Sequence, residues 1–190
     1  LFDSRSNLKK IDELPEDCTP KNFKDAYLIQ ECLSKIYLSK NQENQIIGKK
    51  IGCTNKEAQK QLNVEESFFG NLFLKDISKT NSIIDSNFFF SPYIEPEFSF
   101  VMKEDIDISK GPFTFENIYN YISAVLPSIE LVDSRYSNWT TIGVYNLIAD
   151  NAVNGHWIYG EQNIDVKKFD FSNHLVSLFI NGKKIVEGNS

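Results

Sequence analysis

The segment Tyr93-Ile94-Glu95-Pro96-Glu97-Phe98-Ser99-Phe100-Val101 sets two carboxylates one residue apart inside an apolar strand pattern. Side chains alternate between the faces of a strand, so Ile94, Pro96, Phe98 and Phe100 share one side and Glu95 and Glu97 the other. A fold that contains this strand must cover the first side. It must also give the carboxylates either water or a positive partner, because like charges so close repel. Two readings follow: the wet face of a half-buried antiparallel strand, or paired oxygen ligands for a hard divalent cation such as Mg2+. A second apolar strand pattern, residues 126–135, sets Glu130 between Ile129 and Leu131. Carboxylates are rarely buried unpaired, so Glu130 weighs toward the cation. Three carboxylates from two strands would make a facial oxygen site.

A chain of 190 residues, 41% hydrophobic and 13% aromatic, has material for a substantial core, and one domain is expected over residues 1–190. The net charge of -6 leaves no basic footprint, which argues against a nucleic-acid partner. No apolar run approaches the roughly 18 to 20 residues of a membrane span, and the N-terminus lacks the apolar core of a signal peptide. A soluble, cytoplasmic protein with no membrane partner is the expectation. Cys18, Cys32 and Cys53 form no CxxC and fit a reducing compartment. His156 and His174 stand in no recognisable zinc or triad motif.

The pattern predicts a mixed α/β fold, with a helical part over about 1–42 and a sheet-rich part over about 43–190. Thr19-Pro20 predicts a helix start, with the helix running to about Ser39. A short strand follows over 45–52. Thr54-Asn55-Lys56-Glu57 reads as a capping box opening a helix to about Leu62. Residues 68–73 and 87–90 read as buried strands or turns whose aromatics are core material. Helices are predicted over roughly 115–125 and 142–152. Asn181-Gly182, between two apolar runs, predicts a hairpin.

Four segments, Gly48-Lys49-Lys50-Ile51-Gly52-Cys53-Thr54, Ile94-Glu95-Pro96-Glu97-Phe98, Ile129-Glu130-Leu131-Val132-Asp133-Ser134-Arg135 and Ile148-Ala149-Asp150-Asn151-Ala152, carry a resemblance. In order and approximate spacing the chain resembles the 2-keto-4-pentenoate hydratases and 4-oxalocrotonate decarboxylases of the fumarylacetoacetate hydrolase superfamily. The resemblance implies a fumarylacetoacetate hydrolase-like fold, a rolled mixed β-sheet with flanking helices, in a homo-oligomer. It implies Mg2+ or Mn2+ held by Glu95, Glu97 and Glu130, and an active-site lysine at Lys50 rather than Lys49. It implies a metal-dependent lyase that hydrates 2-hydroxypenta-2,4-dienoate to 4-hydroxy-2-oxopentanoate in the meta-cleavage catabolism of aromatic compounds. The alternatives are a 4-oxalocrotonate decarboxylase, an acylpyruvate hydrolase, or a non-catalytic subunit that associates with a related decarboxylase or hydratase.

Departures accompany the resemblance. Some hydratases carry an acid shortly before the glycine matched by Gly70, where this chain has Phe68 and Phe69. Asp76 lies one residue out of register with a family aspartate and is given no role. Asn151 is a candidate substrate contact, although helix termination also explains an Asp-Asn pair. Full-length relatives continue through further strands, so a C-terminally incomplete chain is expected.

Overall fold

The computed structural model describes residues 1–161, 165–171 and 173–189. Ser190, on which the expectation of an incomplete C-terminus turns, lies outside them. In chain order the described residues form α1 (Phe2–Asn7), α2 (Phe23–Lys40), β1 (Ile46–Gly52), α3 (Lys56–Leu62), β2 (Phe68–Phe73), β3 (Ile77–Lys79) and β4 (Tyr93–Met102). Then come α4 (Phe115–Ile118), β5 (Ile122–Val132), α5 (Val144–Ala149), β6 (Asn154–Tyr159), β7 (Leu175–Ile180) and β8 (Lys183–Asn189). The strands pair as β1-β2, as β3-β6-β5-β4 and as β7-β8. The fold is mixed α/β, as the hydrophobic periodicity predicts.

Local chemistry moves several element boundaries from their predicted places. The Thr19 hydroxyl bonds the Pro15 carbonyl at 3.0 Å around a 3-10 turn, so it does not cap the long helix. Asn22 caps α2 instead, its Oδ1 accepting the Asp25 N–H at 2.9 Å. Asn55, not Thr54, caps α3 by the same bond to Ala58. The helix predicted over 115–125 stops at Ile118, and β5 begins at Ile122. Ile122, Val125, Ile129 and Val132 are β-branched and suit a strand, and Pro127 has no N–H for a helix. The helix predicted over 142–152 is α5, which ends at Ala149. Phe68 and Phe73 are buried as expected, but Phe88 is 71% exposed on a 3-10 turn.

Two compact units partition the chain. The first comprises residues 1–78, 82–94 and 130–157. Ala26 of α2, Phe68 of β2 and Val144 and Ile148 of α5 share one core cluster with Ala152. Leu33, Tyr37 and Phe73 form a second, and Val132, Leu147 and Val153 a third. Gln30 ties the pieces together, its amide donating to the carbonyls of Phe69 and Ile148 at 2.9 Å each. Beneath them lies an ion pair closed off from water: Arg135 Nε donates to Asp150 at 2.6 and 2.8 Å, with side chains 1% and 2% exposed. Arg135 also donates to the carbonyls of Asp150 at 2.6 Å and Asn154 at 3.2 Å.

The second unit comprises residues 79–81, 95–129 and 158–190. Phe98 packs edge-on to Phe169, Phe171 and His174, and Phe100 against Phe171. Of the apolar face of β4 that the sequence predicts to be covered, Phe98 is half-buried, whereas Ile94 and Phe100 stay 43% and 46% exposed. The β7-β8 hairpin turns at Asn181 and Gly182, with φ of 52° and 76°. Positive φ at both centres is the turn geometry that Asn-Gly favours.

Two stability predictions follow from the first unit. Arg135→Met leaves Asp150 buried without its cation and lowers unfolding free energy by about 3–5 kcal/mol, read from urea midpoints. A loss below about 1 kcal/mol would show the pair to be dispensable. His156, whose Nε2 lies 2.9 Å from Ser78 Oγ, has its pKa lowered chiefly by burial, with Asp76 opposing. The unfolded chain therefore binds the proton first, and stability falls as pH drops below about 6.5 toward the folded value. His156→Asn should flatten that part of the pH profile. Superimposable profiles for the two proteins would remove His156 as the cause.

Candidate metal centre and its lysine

Strands β1 and β2 pair antiparallel, with Lys49 opposite Asn71 and Lys50 opposite Gly70. Alternation sends the two lysines to opposite faces. Lys50 Nζ lies 3.2 Å from Glu130 Oε2 and donates to the Ala152 carbonyl at 3.1 Å, with its side chain only 9% exposed. Lys49 Nζ bonds Asn71 Oδ1 and sits 4.9 Å over the Phe69 ring, where burial lowers its pKa. Of the two adjacent ammonium groups, Lys50 is the one brought to Glu130.

Glu130 is 3% exposed, among the buried even-numbered positions of β5 from Ser128 to Val132. Desolvating a carboxylate is costly unless a counter-charge sits beside it, which Lys50 supplies. Three residues on, Asp133 accepts the N–H of Phe90 at 3.1 Å and of Ser91 at 2.9 Å. Those bonds fix the segment that leads into β4. The Asp-Ser-Arg run after Glu130 therefore serves the site by holding backbone: Asp133 at Phe90 and Ser91, Arg135 at Asp150 and Asn154.

Glu95 and Glu97 lie on β4 with Ser99, at alternate positions from Phe98 and Phe100. Ser99 Oγ and Ser128 Oγ are 2.6 Å apart, and Ser128 Oγ donates to the Glu97 carbonyl at 3.3 Å. One carboxylate oxygen from each of Glu95, Glu97 and Glu130 lies within 4.8 Å of the others. The fit to a divalent cation is good on the donor set alone. Oxygens at 2.0–2.1 Å from Mg2+ or 2.3–2.6 Å from Ca2+ span about 4 to 5 Å across the ion, and both ions prefer carboxylates. Glu95 is exposed, Glu97 half-buried and Glu130 buried.

The other sequence candidates fall elsewhere. Asn151 is 2% exposed, and both ends of its amide go to the Asn71 backbone: Oδ1 accepts the Asn71 N–H at 2.7 Å and Nδ2 donates to its carbonyl at 2.9 Å. Asp76 sits with Lys75 at 3.2 Å and Arg5 at 3.9 Å. Of Phe68 and Phe69, the two positions matched to the acid of some hydratases, Phe68 is core and Phe69 is 38% exposed. Sequence reasoning missed Asn71, Asp133 and the Ala152 carbonyl. A main-chain oxygen leaves no residue-type signal.

No protein-family model matches the chain. Curated relatives do. The chain is 31% identical over 173 residues to 2-keto-4-pentenoate hydratase of Paraburkholderia xenovorans, covering 90% of this chain and 62% of that enzyme. It is 29% identical over 193 residues to 2-hydroxyhexa-2,4-dienoate hydratase of Comamonas testosteroni, covering 99% of this chain and 70% of that enzyme. Among solved structures, 4-oxalocrotonate decarboxylase of Pseudomonas putida G7, complexed with magnesium and adipate, superposes with a TM-score of 0.84 at 25% identity, over 98% of this chain and 69% of that one. The same decarboxylase is also known complexed with calcium and acetate. The chain thus spans about three fifths of the length of the first hydratases it matches. In sequence and in fold the chain is thus similar to the 2-keto-4-pentenoate hydratases and 4-oxalocrotonate decarboxylases.

Proposed function

We propose that this chain carries the site of a metal-dependent lyase that hydrates 2-hydroxypenta-2,4-dienoate to 4-hydroxy-2-oxopentanoate. Glu95, Glu97 and Glu130 would hold Mg2+ or Mn2+, and Lys50 would act on the substrate. The observation that carries the reading is the clustering of these three carboxylate oxygens within 4.8 Å, with Lys50 3.2 Å from the buried one. A bound cation would supply Lewis acidity to a 2-oxo acid that chelates it through its carboxylate and C2 oxygen.

The protein's own groups do the rest. An ammonium has three N–H bonds, and among the described residues Lys50 spends two, on Glu130 and on the Ala152 carbonyl. The third is available for the substrate's C2 oxygen, where dienolate charge develops. Protonation of the dienolate at C5 gives an enone whose C4 accepts water. With phenylalanine at both 68 and 69, hydration here would proceed without the acid that some hydratases carry shortly before the matching glycine.

A second reading, decarboxylation of 4-oxalocrotonate (2-oxohex-3-enedioate), is favoured by the likeness to the Pseudomonas putida decarboxylase. The same stabilisation of a dienolate takes up the electron pair released as CO2 leaves. We further propose a cytoplasmic homo-oligomer, able to associate with a related subunit. Among the described residues no helix is long and apolar enough to cross a membrane.

Turnover of both substrates, followed by ultraviolet absorbance with Mg2+ and again after EDTA, tests the reading. Mg2+-dependent loss of the pentadienoate establishes hydration, and loss of the hexenedioate with CO2 release establishes decarboxylation. Inactivity toward both overturns the lyase assignment. Glu97→Gln should lower Mg2+ affinity by more than tenfold, because a ligand charge is lost without a change of shape. Lys50→Met should still bind Mg2+ by calorimetry while turnover falls at least a hundredfold.

A further inference from the structure

The chain leaves α5 through a backbone that ordinary residues avoid. Asn151, Ala152 and Val153 follow one another with φ of 57°, 52° and 54°. Left-handed geometry is uncommon for any residue with a Cβ and most strained for a β-branched one such as Val153. None of the three is glycine, so something other than intrinsic preference holds this turn.

The holding groups are visible. Asn151 bonds both the N–H and the carbonyl of Asn71, as a neighbouring strand would, and Asn154 Nδ2 adds a second donor to that carbonyl at 3.0 Å. The Val153 carbonyl accepts the Asp133 N–H at 2.9 Å. Asp150, immediately before the turn, is fixed by Arg135. Gly70 makes room: a Cβ there would stand 2.4 Å from the Asn151 carbonyl oxygen and 3.0 Å from Ala152 Cβ. The outcome of all these contacts is that the Ala152 carbonyl faces Lys50 Nζ at 3.1 Å, while Glu130 approaches the same nitrogen at 3.2 Å.

We infer that Asn151 is a positioning residue, whose amide, seated on the Asn71 backbone, holds the left-handed turn that presents the Ala152 carbonyl to Lys50 and so fixes that ammonium beside Glu130. This assignment rests on the proposed role of Lys50 for its catalytic consequence, but the placement of Lys50 can be read independently. A turn kept only for stability would tolerate any change that keeps the chain folded. A turn kept for Lys50 would not.

The test compares the full chain with Asn151→Gly and Asn151→Ala. Glycine accepts φ of 57° without strain and alanine does not, so glycine should recover part of the melting temperature lost by alanine. Neither variant restores the amide. Acetylation of Lys50 by acetic anhydride, traced by peptide mass spectrometry with Mg2+ absent, reads the placement of Nζ directly. We expect Lys50 to label about tenfold faster in both variants, the effect of losing one charge-assisted hydrogen bond. Where the enzyme turns over, kcat should fall by a similar factor with KM within about twofold, since ground-state chelation is untouched. Parent-like labelling in a folded Asn151→Gly protein overturns the inference. Should the glycine variant fail to melt cooperatively, Gly70→Ala, which keeps the amide pair and pushes on the Asn151 carbonyl, carries the same labelling measurement with the same two outcomes. Faster labelling in a variant of a parent that turns over neither substrate upholds the positioning role and sinks the lyase reading instead.

Discussion

A guanidinium shut away from water must be neutralised and its N–H groups satisfied, or the fold cannot keep it. Arg135 meets that demand with Asp150 on one side and the carbonyls of Asp150 and Asn154 on the other. Those carbonyls flank the left-handed turn at 151–153, so one buried cation grips both ends of the most strained backbone in the first unit. Each left-handed residue with a Cβ costs on the order of 1–2 kcal/mol. A single buried ion pair would not recover that cost for three residues, because its attraction is largely cancelled by desolvation. The balance comes from the shared burial of Ala152 and Val153 and from the Asn151–Asn71 pairing.

The site inherits its order from this arrangement. Asp133 holds the lead-in to β4, and the turn holds the carbonyl that meets Lys50. Residues that carry no chemistry themselves therefore decide where charge stands. Glu130 is the most demanding member. A buried carboxylate needs a counter-charge: Lys50 provides one here, and a divalent cation shared with Glu95 and Glu97 would provide a second.

Much of the fold was legible where the signal is local. The Asn-Gly turn, the mixed α/β pattern and the amphipathic α2 need only residue types and period. Failures have local causes too. Thr19 has the residue type of a cap but is spent on a 3-10 turn, and residues 115–125 fit a helix as well as a strand because short apolar runs satisfy both periods. The adjacent lysines show the limit from the other side. Alternation alone required that they face opposite ways, yet neither face is marked in the sequence as the one that meets Glu130.

The sequence by itself determined which carboxylates stand together on a strand. Glu95 and Glu97 share a face because strand alternation admits no other arrangement, and Glu130 stands between Ile129 and Leu131 in an apolar strand pattern. Tertiary structure decided what those groups meet. Lys50 reaches Glu130, Asn151 turns its amide to Asn71, and Ala152 contributes a carbonyl that any residue would have carried. The last two contacts join positions 80 and 102 residues apart through main-chain atoms, and main-chain atoms are the same at every position, so no residue type announces them.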